Sequence, residues 1–219
     1  MLNRRRFLGM GAAAVAAACA SSGKLVAERE PLVDAVPDVI TKSPVPGKPM
    51  PLALSAITTE GVRTATTIAN LKTFPQFLEL ATSLGFDGIH LRVSLAGLQT
   101  PLGELYAQAA AVKKAGLLVS SVVPDADVPI NNVHAPDCLR NIAPYLNFAE
   151  IFGSDMIRVG MKSEADIPWA QRAADEAAER KLRLTHHDEA NTMFETFPIA
   201  LKTLKAALVQ IAITAECRR

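Results

Sequence analysis

The stretch Thr73–Val93, TFPQFLELATSLGFDGIHLRV, contains one complete helix–strand unit. Thr73 is a suitable helix N-cap, and the apolar spacing over Pro75–Leu84 predicts a helix. Gly85 is a typical residue at which a helix ends. The apolar run Gly88–Val93 follows at once and predicts a strand. A helix that leads directly into a strand is one half of a βαβ unit.

The same helix–strand order recurs along the rest of the chain. Strict alternation of helices and strands with short turns predicts right-handed βαβ units and an α/β fold with a parallel sheet. The other predicted elements are, in order, strand Leu52–Ile57, helix Pro101–Ala115, strand Leu117–Val123, a helix within Asp137–Phe152, strand Met156–Val159, helix Glu164–Lys181, a strand from Leu182, helix Phe197–Ala207 and strand Val209–Ala215.

The predicted strands alternate apolar and polar residues. In Gly88–Val93, His90 and Arg92 alternate with aliphatic side chains, and the strand from Leu182 shows the same pattern. Strands of a doubly wound sheet are apolar on both faces, because helices cover both. A barrel with a polar interior therefore fits better. The glycine motifs that bind dinucleotides or nucleoside triphosphates do not occur, so those two classes are excluded.

Four residues able to bind a metal or move protons follow the strand from Leu182. They are His186, His187, Asp188 and Glu189. Side chains alternate along a strand, so His187 and Glu189 share one face. Imidazole and carboxylate donors at the carboxyl end of a strand suit Zn²⁺, Mn²⁺ or Co²⁺. A solvated polar loop after the strand is the alternative, and it stays open.

The first twenty residues predict an export signal. Asn3–Arg6 gives a basic start, an alanine-rich apolar run ends near Ala20, and Ala18-Cys19-Ala20 fits a cleavage site. The paired arginines before Phe7-Leu8 resemble a twin-arginine signal, which predicts a periplasmic or secreted protein. A lipid anchor on Cys19 is the less favoured alternative, because alanine stands where a lipidation motif has a leucine-like residue.

Residues 21–50 predict a linker and residues 51–219 the folded domain. Five prolines between residues 31 and 49 interrupt any helical period. The formal charge of the chain is +1, and it falls to −2 when the three arginines of the signal are removed. A nearly neutral surface without a basic cluster argues against nucleic-acid binding.

The order of these segments resembles one known family, the xylose isomerase-like TIM barrels, or sugar phosphate isomerases and epimerases. Leu84–Val93 is similar to the second strand of that family and Ala149–Val159 to the fourth. Leu182–Thr196 resembles the fifth strand with its following loop, and Val209–Glu216 the sixth. The resemblance implies a metal-dependent barrel that acts on a sugar or polyol. The reaction would be proton abstraction next to a carbonyl, or a hydride shift at the metal.

The resemblance also implies site residues. His187 falls where the fifth strand of the family usually has a glutamate, and Glu189 falls where a histidine follows two residues later. Glu216 falls at a position that is commonly acidic. This implies His187 and Glu216 as ligands of a divalent ion, which would be Mn, Zn, Co or Mg. Glu216 and Glu189 are then the candidate catalytic residues.

Three further residues are candidates for binding the substrate. His90 and Arg92 face the predicted lumen, where they would contact sugar hydroxyls or a phosphate. A structural buried pair with an acidic neighbour is an equal alternative. His134 follows the third strand and would approach the mouth of the barrel, although a plain loop histidine is the favoured interpretation.

Length sets the expected fold apart from a complete barrel. An eight-unit TIM barrel takes about 250 residues, whereas residues 51–219 contain six predicted strands. We therefore expect an incomplete barrel whose exposed sheet edges favour homo-oligomers. The expected function is a sugar isomerase or epimerase that is inactive through truncation or completed by a partner. The alternative is a non-catalytic exported domain that binds a sugar or is a remnant.

Overall fold

The computed structural model describes residues 51–63, 68–187, 193–207 and 211–214. Two short 3₁₀ helices, Ala56–Thr59 and Glu164–Asp166, accompany the regular elements. The strands are β1 (Ala53–Ser55), β2 (Glu60–Arg63), β3 (Ile68–Asn70), β4 (Gly88–Arg92), β5 (Leu118–Val123), β6 (Met156–Arg158), β7 (Arg183–His187) and β8 (Ile211–Thr214). The α-helices are α1 (Phe74–Ser83), α2 (Leu102–Lys114), α3 (Asp127–Ile130), α4 (Asp137–Arg140), α5 (Ala143–Phe152), α6 (Ile167–Glu179) and α7 (Phe197–Ala207).

Six strands form one parallel sheet in the order β1-β4-β5-β6-β7-β8. The predicted α/β fold with a parallel sheet is therefore confirmed. Within this sheet each strand pairs with the sheet strand that follows it along the chain, with the β2–β3 hairpin inserted between β1 and β4. This is the order of a TIM barrel, whereas a doubly wound sheet reverses its order. Within the described ranges β1 and β8 are the two edge strands and do not pair with each other, so the barrel is open.

The helix boundaries follow the local sequence signals. Thr73 caps α1 through a capping box, in which Gln76 returns a side-chain bond to the backbone of Thr73. After the helix, Gly85 has a φ of 71°, in the left-handed region that glycine adopts without strain. Gly153 ends α5 in the same way, with a φ of 65°. These residues explain why the helix positions were predictable.

Two features near the start of the domain differ from the prediction. The first strand ends at Ser55, two residues early, because the Ser55 side chain accepts the backbone N–H of Ile57 and begins a 3₁₀ helix. The chain then forms an antiparallel hairpin, β2–β3, that was not predicted.

The start of α6 also differs from the prediction. The predicted helix begins at Glu164, whereas Glu164–Asp166 form a 3₁₀ turn, because a capping box between Ser163 and Asp166 tightens the chain there.

The apolar core lies between the sheet and its helices. Ile89 and Leu91 of β4, Ile157 of β6 and Leu184 of β7 have at most 1% of their surface exposed and pack there with Phe77 and Phe148. None of the described helices combines the length and apolarity that crossing a membrane requires. The predicted export signal and linker lie outside the described residues.

Candidate functional site

A row of polar side chains occupies the sheet face opposite the core, which we call the polar face. Register places Ser55 of β1 beside His90 of β4, and Arg158 of β6 beside Thr185 of β7. Alternation along the strands adds Arg92 of β4 and His187 of β7 to the same face. The polar side chains of this face include Ser55, His90, Arg92, Arg158, Thr185 and His187, together with Ser121 of β5, which pairs with His90.

His90 lies near the centre of this face. Its Nδ1 is 3.2 Å from the hydroxyl of Ser55. Its Nε2 is buried and has no hydrogen-bond partner in the described residues. Burial, with smaller contributions from Arg92 and Arg158, lowers the pKa of His90 to about 3. The ring is therefore neutral at physiological pH.

Arg92 forms a buried ion pair with Glu60 of the unpredicted hairpin. Arg92 Nε and Nη2 both donate to the carboxylate, the second at 3.2 Å from Oε2. Both side chains are only 1% exposed. Ser94 Oγ donates to the same carboxylate at 3.1 Å. This is the buried pair with an acidic neighbour that the sequence left as an alternative for Arg92.

His187 lies close to the charges of this face. Burial is the largest cause that lowers its pKa, to about 3, and the guanidinium charges of Arg158 and Arg92 lower it further, as would a proton on His90 or His186. These contributions indicate that the two histidines and two arginines of the polar face lie near one another. Its neighbour His186 points to the other face, where it stacks on Phe194 with ring centroids 4.0 Å apart.

Thr185 contributes a second buried polar atom that has no partner among the described residues. The residue is 1% exposed, and its Oγ1 has no hydrogen bond in the part of the chain that the structure describes. Buried polar groups in proteins nearly always have a partner, so two such atoms on one face indicate a place for a polar ligand or water. The polar face is therefore the candidate binding site.

The described residues of this face do not form a metal centre. No group of three or more histidine, cysteine, aspartate or glutamate side chains that could hold an ion occurs among them. His187 supplies one imidazole, and the carboxylate of Glu60 already binds Arg92 and Ser94. The guanidinium of Arg158 also lies near His187 and repels a cation. Glu189 and Glu216, the predicted carboxylates, lie outside the described residues.

His134 occupies a different environment from the other candidates. Its side chain is 67% exposed, and Nδ1 is 3.3 Å from Asp137 Oδ2. The hydrogen bonds described for His134 join it to Asn132 and Asp137, neither of which belongs to the polar face. Its role in substrate binding stays a prediction.

None of Ser55, Glu60, Arg158 and Thr185 was named as a site candidate from the sequence. Glu60 lies in a segment whose apolar residues follow neither a helical nor a strand spacing. Nothing in the sequence pairs it with Arg92, which is 32 residues away. Ser55 was assigned to the first strand but not to the site. The alternation of Leu54 and Ser55 was the signal that places Ser55 on the polar face. Alternation with Ile157 and Leu184 was the signal that could have added Arg158 and Thr185.

The sequence of this chain matches no protein-family profile and no curated protein. Its fold does match solved structures. A xylose isomerase-like TIM barrel protein from Mycobacterium smegmatis, in complex with magnesium, superimposes with a TM-score of 0.60 at 14% identity. That match covers 75% of this chain and 63% of the other.

Two further structures show the same fold. The probable 3-DHS dehydratase AsbF from Bacillus anthracis has a TM-score of 0.57 at 16% identity, covering 76% of this chain and 62% of that one. D-allulose 3-epimerase from Methylomonas sp., in complex with D-allulose, has a TM-score of 0.51 at 15% identity. That match covers 75% of this chain and 63% of the epimerase. The chain thus spans less than two thirds of these structures. It has the fold of the xylose isomerase-like TIM barrels, as the sequence resemblance implied.

Proposed function

We propose that this protein is a sugar isomerase- or epimerase-like protein whose polar face binds a sugar or polyol. One observation carries the proposal: two buried polar atoms, His90 Nε2 and Thr185 Oγ1, lie on the polar face without a partner in the described residues. Structures of the same fold include an epimerase in complex with D-allulose. Sugars present many hydroxyl groups, which suit a face of hydroxyl, imidazole and guanidinium groups.

The residues of the polar face would bind and orient the ligand. The neutral imidazole of His90 offers a hydrogen bond without a charge, because burial and two guanidiniums keep its pKa near 3. Arg92 is held rigidly by Glu60, so its guanidinium loses little further freedom when a ligand binds. These groups therefore form a preorganised polar surface.

In the whole protein we propose a divalent ion, bound by His187 and Glu216, and proton or hydride transfer that involves Glu216 and Glu189. A structure of the same fold contains magnesium. Of these three residues His187 is the one that the described part of the chain contains, and it would supply an imidazole nitrogen to the ion. The ion would be Mn, Zn, Co or Mg.

Calorimetric titration tests this proposal. D-allulose and D-xylose are added to the protein with Mn²⁺ and again after EDTA treatment, and the products are separated by chromatography. Binding of either sugar together with its conversion to an isomer or epimer supports the enzyme. Absence of binding for both sugars, with and without the metal, contradicts it.

The alternative function is a non-catalytic exported sugar-binding domain. The guanidinium groups of Arg92 and Arg158 favour it, because their charge opposes a divalent cation beside His187. Sugar binding that is equal with Mn²⁺ and with EDTA, without product, would identify this alternative.

We propose further that residues 1–20 direct twin-arginine export to the periplasm or the medium. The support is the run Arg4-Arg5-Arg6-Phe7-Leu8 before an alanine-rich segment. A reporter fused after residue 50 should be exported, and replacing Arg5 and Arg6 by lysine should retain it in the cytoplasm. Export that is unchanged by this replacement would exclude the twin-arginine route.

A further inference from the structure

The hydroxyl group of Ser55 has one described acceptor for its proton. Ser55 Oγ accepts the backbone N–H of Ile57 at 3.3 Å and lies 3.2 Å from His90 Nδ1. A serine hydroxyl has one proton to donate. In the described part of the chain, His90 Nδ1 is the atom within reach that can accept this proton.

A hydrogen bond accepted at Nδ1 determines the tautomer of His90. A neutral imidazole carries its single proton on one nitrogen and accepts with the other. When Nδ1 accepts, the proton is on Nε2, which is the buried atom without a described partner. His90 thus presents an N–H group that needs an acceptor oxygen.

The surroundings of His90 keep it in this neutral form. The charged and titratable groups that face it are Arg92 on its own strand, Arg158 on β6 and His187 on β7. The two guanidiniums disfavour a second positive charge on the imidazole. A protonated ring would also lose the bond from the hydroxyl of Ser55, because both of its nitrogens would be donors.

We infer that Ser55 is a positioning residue, which holds His90 in the tautomer that donates from Nε2 to a hydroxyl or carbonyl oxygen of the bound sugar. This inference rests on the proposed function, because the acceptor belongs to the ligand. Ser55 itself acts only through the imidazole. Thr185 Oγ1 supplies another polar atom on the same face for the ligand.

The tautomer is measured first, in the protein without ligand. Protein labelled with ¹⁵N-histidine gives long-range ¹H–¹⁵N correlations that distinguish the two ring nitrogens, and His90→Gln assigns the His90 signals. We expect a protonated Nε2 in the wild type and in Ser55→Thr, which keeps the hydroxyl. In Ser55→Ala the proton should be distributed over both nitrogens.

Ser120→Ala is the matched control, because it also removes a serine hydroxyl that donates a hydrogen bond, here to the carbonyl of Ile89 at 3.1 Å and not to His90. This variant should keep the wild-type tautomer. A proton on Nδ1 in the wild type, or an unchanged tautomer in Ser55→Ala, would overturn the inference.

Ligand binding is measured second, with D-allulose and D-xylose as probes. The His90 Nε2 signal should move as the sugar binds, and Ser55→Ala should weaken binding about three- to tenfold, the usual effect of one neutral hydrogen bond. Ser55→Thr should restore the affinity. Sugar binding that leaves the Nε2 signal unchanged overturns the donor role alone. Absence of sugar binding by the wild type overturns the proposed function and the donor role with it.

Discussion

At the residue scale, the buried pair of Glu60 and Arg92 has a direct consequence for the stability of the protein. Both side chains are 1% exposed. Removing one partner of such a pair leaves an unpaired charge in a low-dielectric interior, which is far more costly than removing both. The pair also joins the hairpin β2–β3 to the sheet, so its loss would affect the polar face directly.

Glu60→Gln should lower the free energy of unfolding by about 3 kcal/mol, and Arg92→Met by a similar amount. The double variant should recover most of this loss, because no charge remains buried. Urea denaturation measures the free energy of unfolding of the two single variants and of the double variant. The exposed pair of Arg183 and Asp155, 57% and 60% exposed, is the control, and Arg183→Ala should have little effect. Additive losses in the double variant would contradict the prediction.

The buried His90 predicts a loss of stability in acid. Its pKa is about 3 in the folded protein and 6.5 in the unfolded chain. The unfolded state therefore binds more protons between these values, and stability falls as the pH is lowered through this window. From pH 7 to pH 5 the contribution of His90 falls by about 2 kcal/mol.

Urea denaturation at both pH values tests this contribution in the wild type and in His90→Gln. The variant should lose less stability on acidification than the wild type. Ser120→Ala, which removes no titratable group, should lose as much stability on acidification as the wild type. An equal pH dependence of wild type and His90→Gln would show that His90 does not contribute.

The proposed metal ligand gives a third prediction at this scale. His187→Ala should weaken Mn²⁺ binding by roughly tenfold or more, because the site loses an imidazole donor. Calorimetric titration with Mn²⁺ measures the affinity, and circular dichroism establishes that the variant is folded. His134→Ala should bind as the wild type does. Unchanged affinity in a folded His187→Ala would remove His187 from the ligand set.

At the scale of elements, the close contact of β4 with β5 depends on a glycine. A β-carbon added at Gly88 would lie 2.6 Å from the backbone oxygen of Leu118, which is the residue paired with Gly88 in the sheet. A backbone atom of a paired strand cannot move away as a flexible side chain can. The register of β4, which places His90 and Arg92 on the polar face, therefore requires a glycine here.

Gly88→Ala should destabilise the protein by about 1–3 kcal/mol, because the two strands must separate locally. Gly103→Ala is the matched control in α2, since a β-carbon there meets no atom within 4 Å. That variant should be neutral or more stable by up to about 1 kcal/mol. Thermal unfolding compares the two, and equal melting temperatures would contradict the assigned contact.

At the scale of the whole molecule, the open sheet leaves β1 and β8 as edge strands in the described residues. Unpaired N–H and C=O groups on an edge strand can pair with another chain. Association through these edges is therefore the interaction between copies that we propose.

Sedimentation velocity should show an association that increases with protein concentration. Ala53→Lys places a charge on the exposed edge strand β1 and should shift the protein toward monomer. Ala178→Lys makes the same change on an exposed position of α6 and should leave association unchanged. Equal sedimentation of the two variants would show that the β1 edge is not involved.

The sequence by itself determined the helix–strand alternation and hence the parallel α/β fold. Thr73 and Gly85 set helix ends through their own backbone preferences, and the alternation around His90 and Arg92 assigned them to a polar face. These signals are local, because caps, turns and side-chain periodicity depend on neighbouring residues. For that reason the sequence alone was sufficient to predict these features.

Only the tertiary structure decided which polar residues meet. Glu60 binds Arg92, which lies 32 positions away, through a hairpin whose apolar residues show no regular spacing in the sequence. Ser55 reaches His90 across 35 positions because β1 and β4 pair in one particular register. Such contacts depend on strand register and chain path, which one sequence does not encode locally. The polar face was therefore predictable, whereas its hydrogen bonds and buried charges were not.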